Sequence, residues 1–180
     1  MSFKSHQNRI VESICRATKD VFTTMLALEI KSGEPRWESS QPSPLNGVVG
    51  LVGLAGTWTG AGCISCSSEF ACTISGKLLM AEYPSVNEDV LDAVGEVTNM
   101  IIGNFKIFAE DVLGQLGLSI PTVIFGHNFT ARSMNTGEWI VVPFTCEASQ
   151  LEVRVCLAPT PSAAPHAQRH TTGAAPAVPA

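Results

Sequence analysis

The chain has 180 residues, 45% of them hydrophobic, with a net charge of −5 and a pI near 5.3. This is enough apolar sequence for one domain with a real core, which excludes a disordered chain. The acidic balance, with no basic run and no RNA-binding signature, excludes nucleic acid as the expected partner. The first residues, MSFKSHQNRIVESICR, are polar and mixed in charge, and carry no apolar run of the kind a secretory signal needs. No apolar stretch reaches the length of a membrane span, so the expected location is the cytoplasm, with no membrane partner.

In chain order, residues 3–30 carry apolar positions at threes and fours: Ile10, Ile14, Ala17, Val21, Met25 and Leu28. That period predicts a first long helix. The segment KSGEPRWESSQPSPLNG (31–47), with its three prolines, predicts a loop with room for one short edge strand. VVGLVGLAGTWTGAGCISCS then reads as two strands, with the turn between Gly56 and Gly62. SSEFACTISGKLLMAE predicts a shorter helix with a serine N-cap, stopped by Pro84. Residues 87–116 predict the longest helix, capped by Asn87, with Glu88 and Asp89 in the first turn and Gly117 and Pro121 closing it. PTVIFG, NFTARSM, WIVVPFTCE and LEVRVCLA follow as strands, with Asn135-Thr136-Gly137 as a hairpin turn. Helices and strands do not alternate as in parallel sheets. The pattern predicts an α+β fold, an antiparallel sheet with helices packed on a face.

Two features invite a metal or redox reading. Cys63 and Cys66 form a CxxC, but on a strand residues three apart point to opposite faces, and no second pair stands at ligand spacing. The six cysteines sit inside apolar patterns and read as reduced, buried thiols. His166 and His170 lie in the Ala/Pro-rich run 158–180, which cannot hold them on one helical face. That run is expected to be a disordered tail to a domain of residues 1–157.

The long helix poses the functional question. At about 100° per residue, Leu91, Val94, Thr98, Ile102, Phe105, Ala109, Val112 and Leu116 gather on a core face. Asp92, Glu96, Asn99 and Gly103 gather on a different one, and Lys106 and Glu110 continue their row. Such a stripe is ordinarily a solvated face. Asn99 and Gly103 argue against that: both are poor helix residues, and a glycine one turn after the asparagine leaves room for a partner backbone.

Asp92-xxx-Glu96-xx-Asn99, followed after 21 residues by Pro121, resembles the signature of the CheC/CheX/FliY chemotaxis phosphatases. GEVTNMIIGNF on the long helix, IPTVIFG after it and GTWTGAG before it are similar to the CheX branch, and the likeness runs over residues 8–157 in element order. The resemblance implies an antiparallel sheet of about six strands, with two long helices and a shorter one on one face. Members with two sites repeat the motif on the first helix. Here that helix offers Glu12-xx-Cys15 and no asparagine, so one site per chain is implied, as in the CheX branch. CheX-type proteins tend to be homodimers, and the resemblance implies the same here.

The implied substrate is the aspartyl phosphate of a CheY-like response regulator receiver. By the resemblance, Asn99 orients the attacking water and Glu96 pairs with the receiver's lysine, with Asp92 and Gly103 supporting docking. An amide suits the first task because it both donates and accepts hydrogen bonds and does not titrate. No cofactor of the chain's own is implied, and the Mg²⁺ is expected in the receiver. The competing expectation is a non-catalytic module, docking receivers or a flagellar-switch-like complex through the same face. A nucleophilic hydrolase is not expected: no G-x-S-x-G-like elbow is present and His127 has no partner at readable spacing.

Overall fold

Ile10, Ile14, Ala17 and Val21 are all buried on one face of α1 (Gln7–Met25), as their spacing requires. The computed structural model describes residues 6–39, 45–129 and 138–160. α1 stops short of the expected Leu28. Ala27 turns left-handed at φ 51°, and the Leu28 N–H returns to the Phe22 carbonyl at 3.0 Å, closing the last turn. Met25 is therefore exposed and Leu26 takes its place in the core.

β1 (Lys31–Ser32) and β2 (Arg36–Ser39) follow, then β3 (Leu45–Gly56), β4 (Trp58–Cys66) and α2 (Ser68–Leu79). The loop expected at 31–47 thus contributes two short strands. The β3–β4 turn is tighter than expected, since Ala55 already pairs with Thr59, and Gly60 and Gly62 lie in β4 itself. The Ser67 side chain accepts a hydrogen bond from the Phe70 N–H at 3.2 Å, giving α2 its predicted serine cap. α3 (Glu88–Phe108) starts as read, with Asn87 Oδ1 accepting from the Val90 N–H at 3.0 Å.

α3 ends earlier than the sequence reading placed it. The chain breaks at Ala109, forms the short α4 (Glu110–Leu113) and turns at Gly114. Gly114 has φ +69°, and a Cβ there would lie 2.7 Å from Thr57 Oγ1, so this position requires glycine. Thr57 Oγ1 in turn donates to the Leu113 carbonyl at 2.7 Å, satisfying an orphan helix acceptor. Leu116 and Gly117 belong to β5 (Leu116–Leu118), not to a helix. β6 (Thr122–Phe129), β7 (Glu138–Cys146) and β8 (Ser149–Pro159) complete the described chain. β8 runs two residues beyond 157, the expected end of the domain, with Ala158 and Pro159 pairing with Thr59 and Trp58. Most of the NFTARSM strand, the Asn135–Gly137 turn, His166 and His170 lie outside the described residues.

Every strand pairing is antiparallel. The order is β1-β7-β8-β4-β3-β5, with β2 also on β7 and β6 also on β3. Eight strands among the described residues therefore fill six positions, because each edge position is shared by two strands. Val52 and Leu54 of β3, Ile140 and Val142 of β7, and Val153 and Val155 of β8 form one buried cluster with α1, α2 and α3. This is the α+β architecture expected, with the helices on one face.

α3 is buried over a wider arc than a single stripe. Val90, Val97 and Ile101 are fully buried, whereas Leu91 and Val112, expected in the core, are half-exposed. The reason is that α3 rests on the sheet while α1 and α2 pack along it. The seat is close at Gly50, where a Cβ would lie 2.0 Å from Thr98 Oγ1. Thr98 is completely buried, and its hydroxyl donates to the Val94 carbonyl at 2.6 Å.

On the other face, β2 and β8 are strapped across β7 by four charges. Arg36 Nε contacts Glu38 at 2.8 Å, and Arg154 contacts Glu38 at 2.9 Å and Glu152 at 2.7 Å. Arg36 also reaches Glu152. Burial pushes the Glu152 carboxyl up, but hydrogen bonds from Arg36 and Arg154 and the charges of both outweigh it. Its pKa therefore lies below the ordinary value.

Two stability predictions follow from these contacts. Gly50→Ala should lower unfolding free energy by roughly 1–3 kcal/mol through overpacking, read by urea denaturation. Adding Thr98→Ala should recover part of that loss, as non-additivity in a double-mutant cycle. Glu152, with its folded pKa depressed, contributes stability that is present at neutral pH and lost as pH falls through the folded value. Glu152→Gln should thus cost stability at neutral pH and flatten the acid limb of the stability–pH curve.

Candidate functional site

Asp92 and Glu96 are exposed on α3, and Asn99 and Gly103 are half-buried beside them. The helix is held on three sides by sheet, α1 and α2, so only this flank is left to face outward. The structure thus gathers all four on one displayed row. None of the hydrogen bonds or ion pairs of the described residues engages the side chain of Asp92, Glu96 or Asn99. Lys106 continues the row, but Glu110 does not, because the helix breaks between them at Ala109.

A second segment borders this row. A Cβ built on Gly95 would lie 3.2 Å from Val123 Cγ2 and 3.9 Å from Pro121 Cγ, and one built on Gly103 would lie 3.7 Å from Leu118 Cδ1. Residues 118–123 therefore run alongside the helix in the opposite sense, with Ser119 and Ile120 between the two contacts, as Asn99 is on the helix. The segment is pinned to β3. The Ser119 N–H donates to the Gly53 carbonyl at 2.9 Å, and the Gly53 N–H donates to Ser119 Oγ at 2.8 Å. Ile120 is 87% exposed beside it. Sequence reading singled out Pro121 and missed Ile120, since an isolated isoleucine before a proline carries no periodic signal.

At Gly103 an added methyl would make only ordinary contact, so no internal packing demands glycine there. Glu12 and Cys15 on α1 are exposed and half-buried respectively, with no amide beside them. His127 is exposed on β6 and makes a T-shaped ring pair with Phe125, with centroids 6.3 Å apart.

The CxxC occupies β4 as expected, with its two thiols on opposite faces. Cys66 is in the helix-side core, and Cys63 pairs with Arg154 on the other face. Burial pushes both thiols up to about 12, so neither is a thiolate at neutral pH. Among the described residues no group of three His, Cys, Asp or Glu is placed to hold a metal ion.

An open groove of about 790 Å³ lies between α2, residues 81–86 and Phe125, but Asp92, Glu96 and Asn99 do not line it. The polar row is displayed outward. A carboxylate–amide pair presented in this way can enter another protein's site more readily than it can enclose a small molecule.

An antiparallel α+β domain with its helices on one face is the fold of CheC-like proteins of known structure. The chain belongs to the chemotaxis phosphatase CheX family, whose profile matches residues 48–145. It is 28% identical to the CheY-P phosphatase CheX of Thermotoga maritima over 126 residues, covering 69% of this chain and 81% of that protein. Among solved structures it is similar to a CheC-like superfamily protein from Shewanella sp. PV-4, with TM-score 0.75 and 26% identity over 88% of this chain and 99% of that one. It is also similar to a chain of the CheX–CheY–BeF3–Mg²⁺ complex from Borrelia burgdorferi, with TM-score 0.71 and 28% identity over 82% and 97%. Among the described residues no helix is long and apolar enough to cross a membrane.

Thiol labelling of the native protein should modify the half-exposed Cys15 and Cys72 first. Cys63 and Cys66 should react only after denaturant is added, as read by mass spectrometry of labelled peptides. Labelling of Cys63 and Cys66 at the native rate of Cys15 would contradict their burial.

Proposed function

We propose that this chain hydrolyses the aspartyl phosphate of a CheY-like receiver, with Asn99 holding the attacking water and Glu96 pairing with the receiver's lysine. The observation that carries the reading is the placement of Glu96 and Asn99 on one displayed flank of α3, without side-chain partners among the described residues. Membership of the CheX family supports it. So does the likeness to a CheY-P phosphatase and to a CheX solved in complex with CheY.

Water attacks phosphorus, the bond to the aspartyl oxygen breaks, and the receiver recovers its carboxylate while dihydrogen phosphate leaves. Such a transfer calls mainly for positioning and charge neutralisation. The receiver brings its own Mg²⁺ and lysine. This chain adds an amide whose oxygen accepts a hydrogen bond from the water and keeps the water in line with the leaving bond. Glu96, three residues earlier on the same face, meets the receiver's lysine and sets the register of docking, contributing orientation more than affinity. Asp92, one turn before Glu96, extends the docking row, and Gly103 leaves space for the receiver's backbone at its other end. Each chain carries one such site, and a homodimer would carry two.

Phosphate release from a phosphorylated receiver should accelerate with the wild-type protein. Asn99→Ala should lower that acceleration about 100-fold, as expected when a reacting group loses its positioning. Receiver affinity should stay within about threefold, since the lost contact is to water. An unchanged rate in Asn99→Ala would overturn the role of Asn99, and binding without acceleration by the wild type would make this a docking module. An absence of receiver binding would make the row a solvated face.

A further inference from the structure

Ile120 combines three properties that nothing in the fold's own packing explains. It is 87% exposed, whereas Leu118, Pro121 and Val123 around it are all partly buried. It sits on a segment held rigidly to β3 through the paired hydrogen bonds of Ser119 with Gly53, and Ser119 Oγ also donates to the Ile120 carbonyl at 3.0 Å. Finally, it lies on the stretch between Leu118, which is near Gly103, and Pro121, which is near Gly95, and that stretch runs along the part of α3 that carries Asn99. An apolar side chain is thus presented in water, on a fixed backbone, at the margin of the polar row.

We propose that Ile120 is the apolar docking contact for the receiver, packing on the receiver's surface next to its phosphorylated aspartate; this rests on the phosphatase reading above. The polar row orients a partner, but exposed charges give little affinity, because water solvates them well before docking and salt screens them. Removing an aliphatic side chain from water is where affinity arises. A β-branched side chain suits the role, since its χ1 is restricted beforehand and little rotamer freedom is lost on docking. The pinned segment lowers the ordering cost further. Ile120 touches the partner and not the reacting atoms, so it is a positioning residue.

The test is steady-state phosphate release over a range of phosphorylated-receiver concentrations, for wild type, Ile120→Ser, Ile120→Val and Asn99→Ala. Ile120→Ser should raise KM about tenfold, as for an aliphatic anchor. Its kcat should stay within about twofold and its thermal midpoint should not move, because the side chain is outside the core. Ile120→Val should keep KM close to the wild-type value, and Asn99→Ala should lower kcat with KM held. An unchanged KM in Ile120→Ser beside an active wild type overturns this inference and leaves the phosphatase reading standing. A fall in kcat alone also overturns it. An inactive wild type overturns the phosphatase reading instead. The dissociation constant for the receiver then decides on Ile120: weaker binding by Ile120→Ser upholds the contact and equal binding refutes it.

Discussion

The structure depends on how closely α3 settles on β3. At Gly50 the sheet offers no side chain, and the Thr98 side chain fills the space where one would be. That contact brings Val94, Val97 and Ile101 down onto the sheet and leaves the helix's flanks to α1 and α2. A helix held this deeply has only a narrow arc left for water. Asp92, Glu96 and Asn99 occupy that arc, so the orientation of the polar row follows from the depth of the seat.

The sheet's edges supply the rest of the site's frame. β3 accepts two strands along its outer edge, β5 near Gly56 and β6 near Leu51, and the link between them passes beside α3. Ser119 clips that link to Gly53, and Pro121 begins the descent into β6. The opposite edge is shared between β1 and β2 on β7, and is tied together by the Arg36–Glu38–Glu152–Arg154 charges. Splitting an edge between two short strands leaves no long unpaired edge there, a common defence against edge-to-edge association.

A displayed row and an enclosed pocket suit different substrates. The groove beside α2 is concave but carries none of the polar row. The row itself stands on a rigid helix, capped at Asn87 and pinned by a buried face. Its geometry is therefore set before any partner arrives, which suits a surface that must position a group precisely.

Local chemistry in the sequence determined a good deal. The Asn87 cap, the serine cap of α2, the α1 core positions, the antiparallel α+β class and the common face of Asp92, Glu96, Asn99 and Gly103 all follow from period and capping, which act within a few residues. Tertiary contacts decided the rest. Gly114 and Gly117 are equally good stop signals on paper. Gly114 ends the helical stretch, at the close of α4, because Thr57, distant in sequence, caps the Leu113 carbonyl and leaves no room for a Cβ. Leu91 and Val97 exchange their expected burial because three elements, not one, surround α3. Ile120 joins the margin of the polar row only when Leu118 and Pro121 settle beside Gly103 and Gly95. Sequence period reports which residues share a face, but which face stays open is set by what packs against the others, and that depends on contacts across the chain.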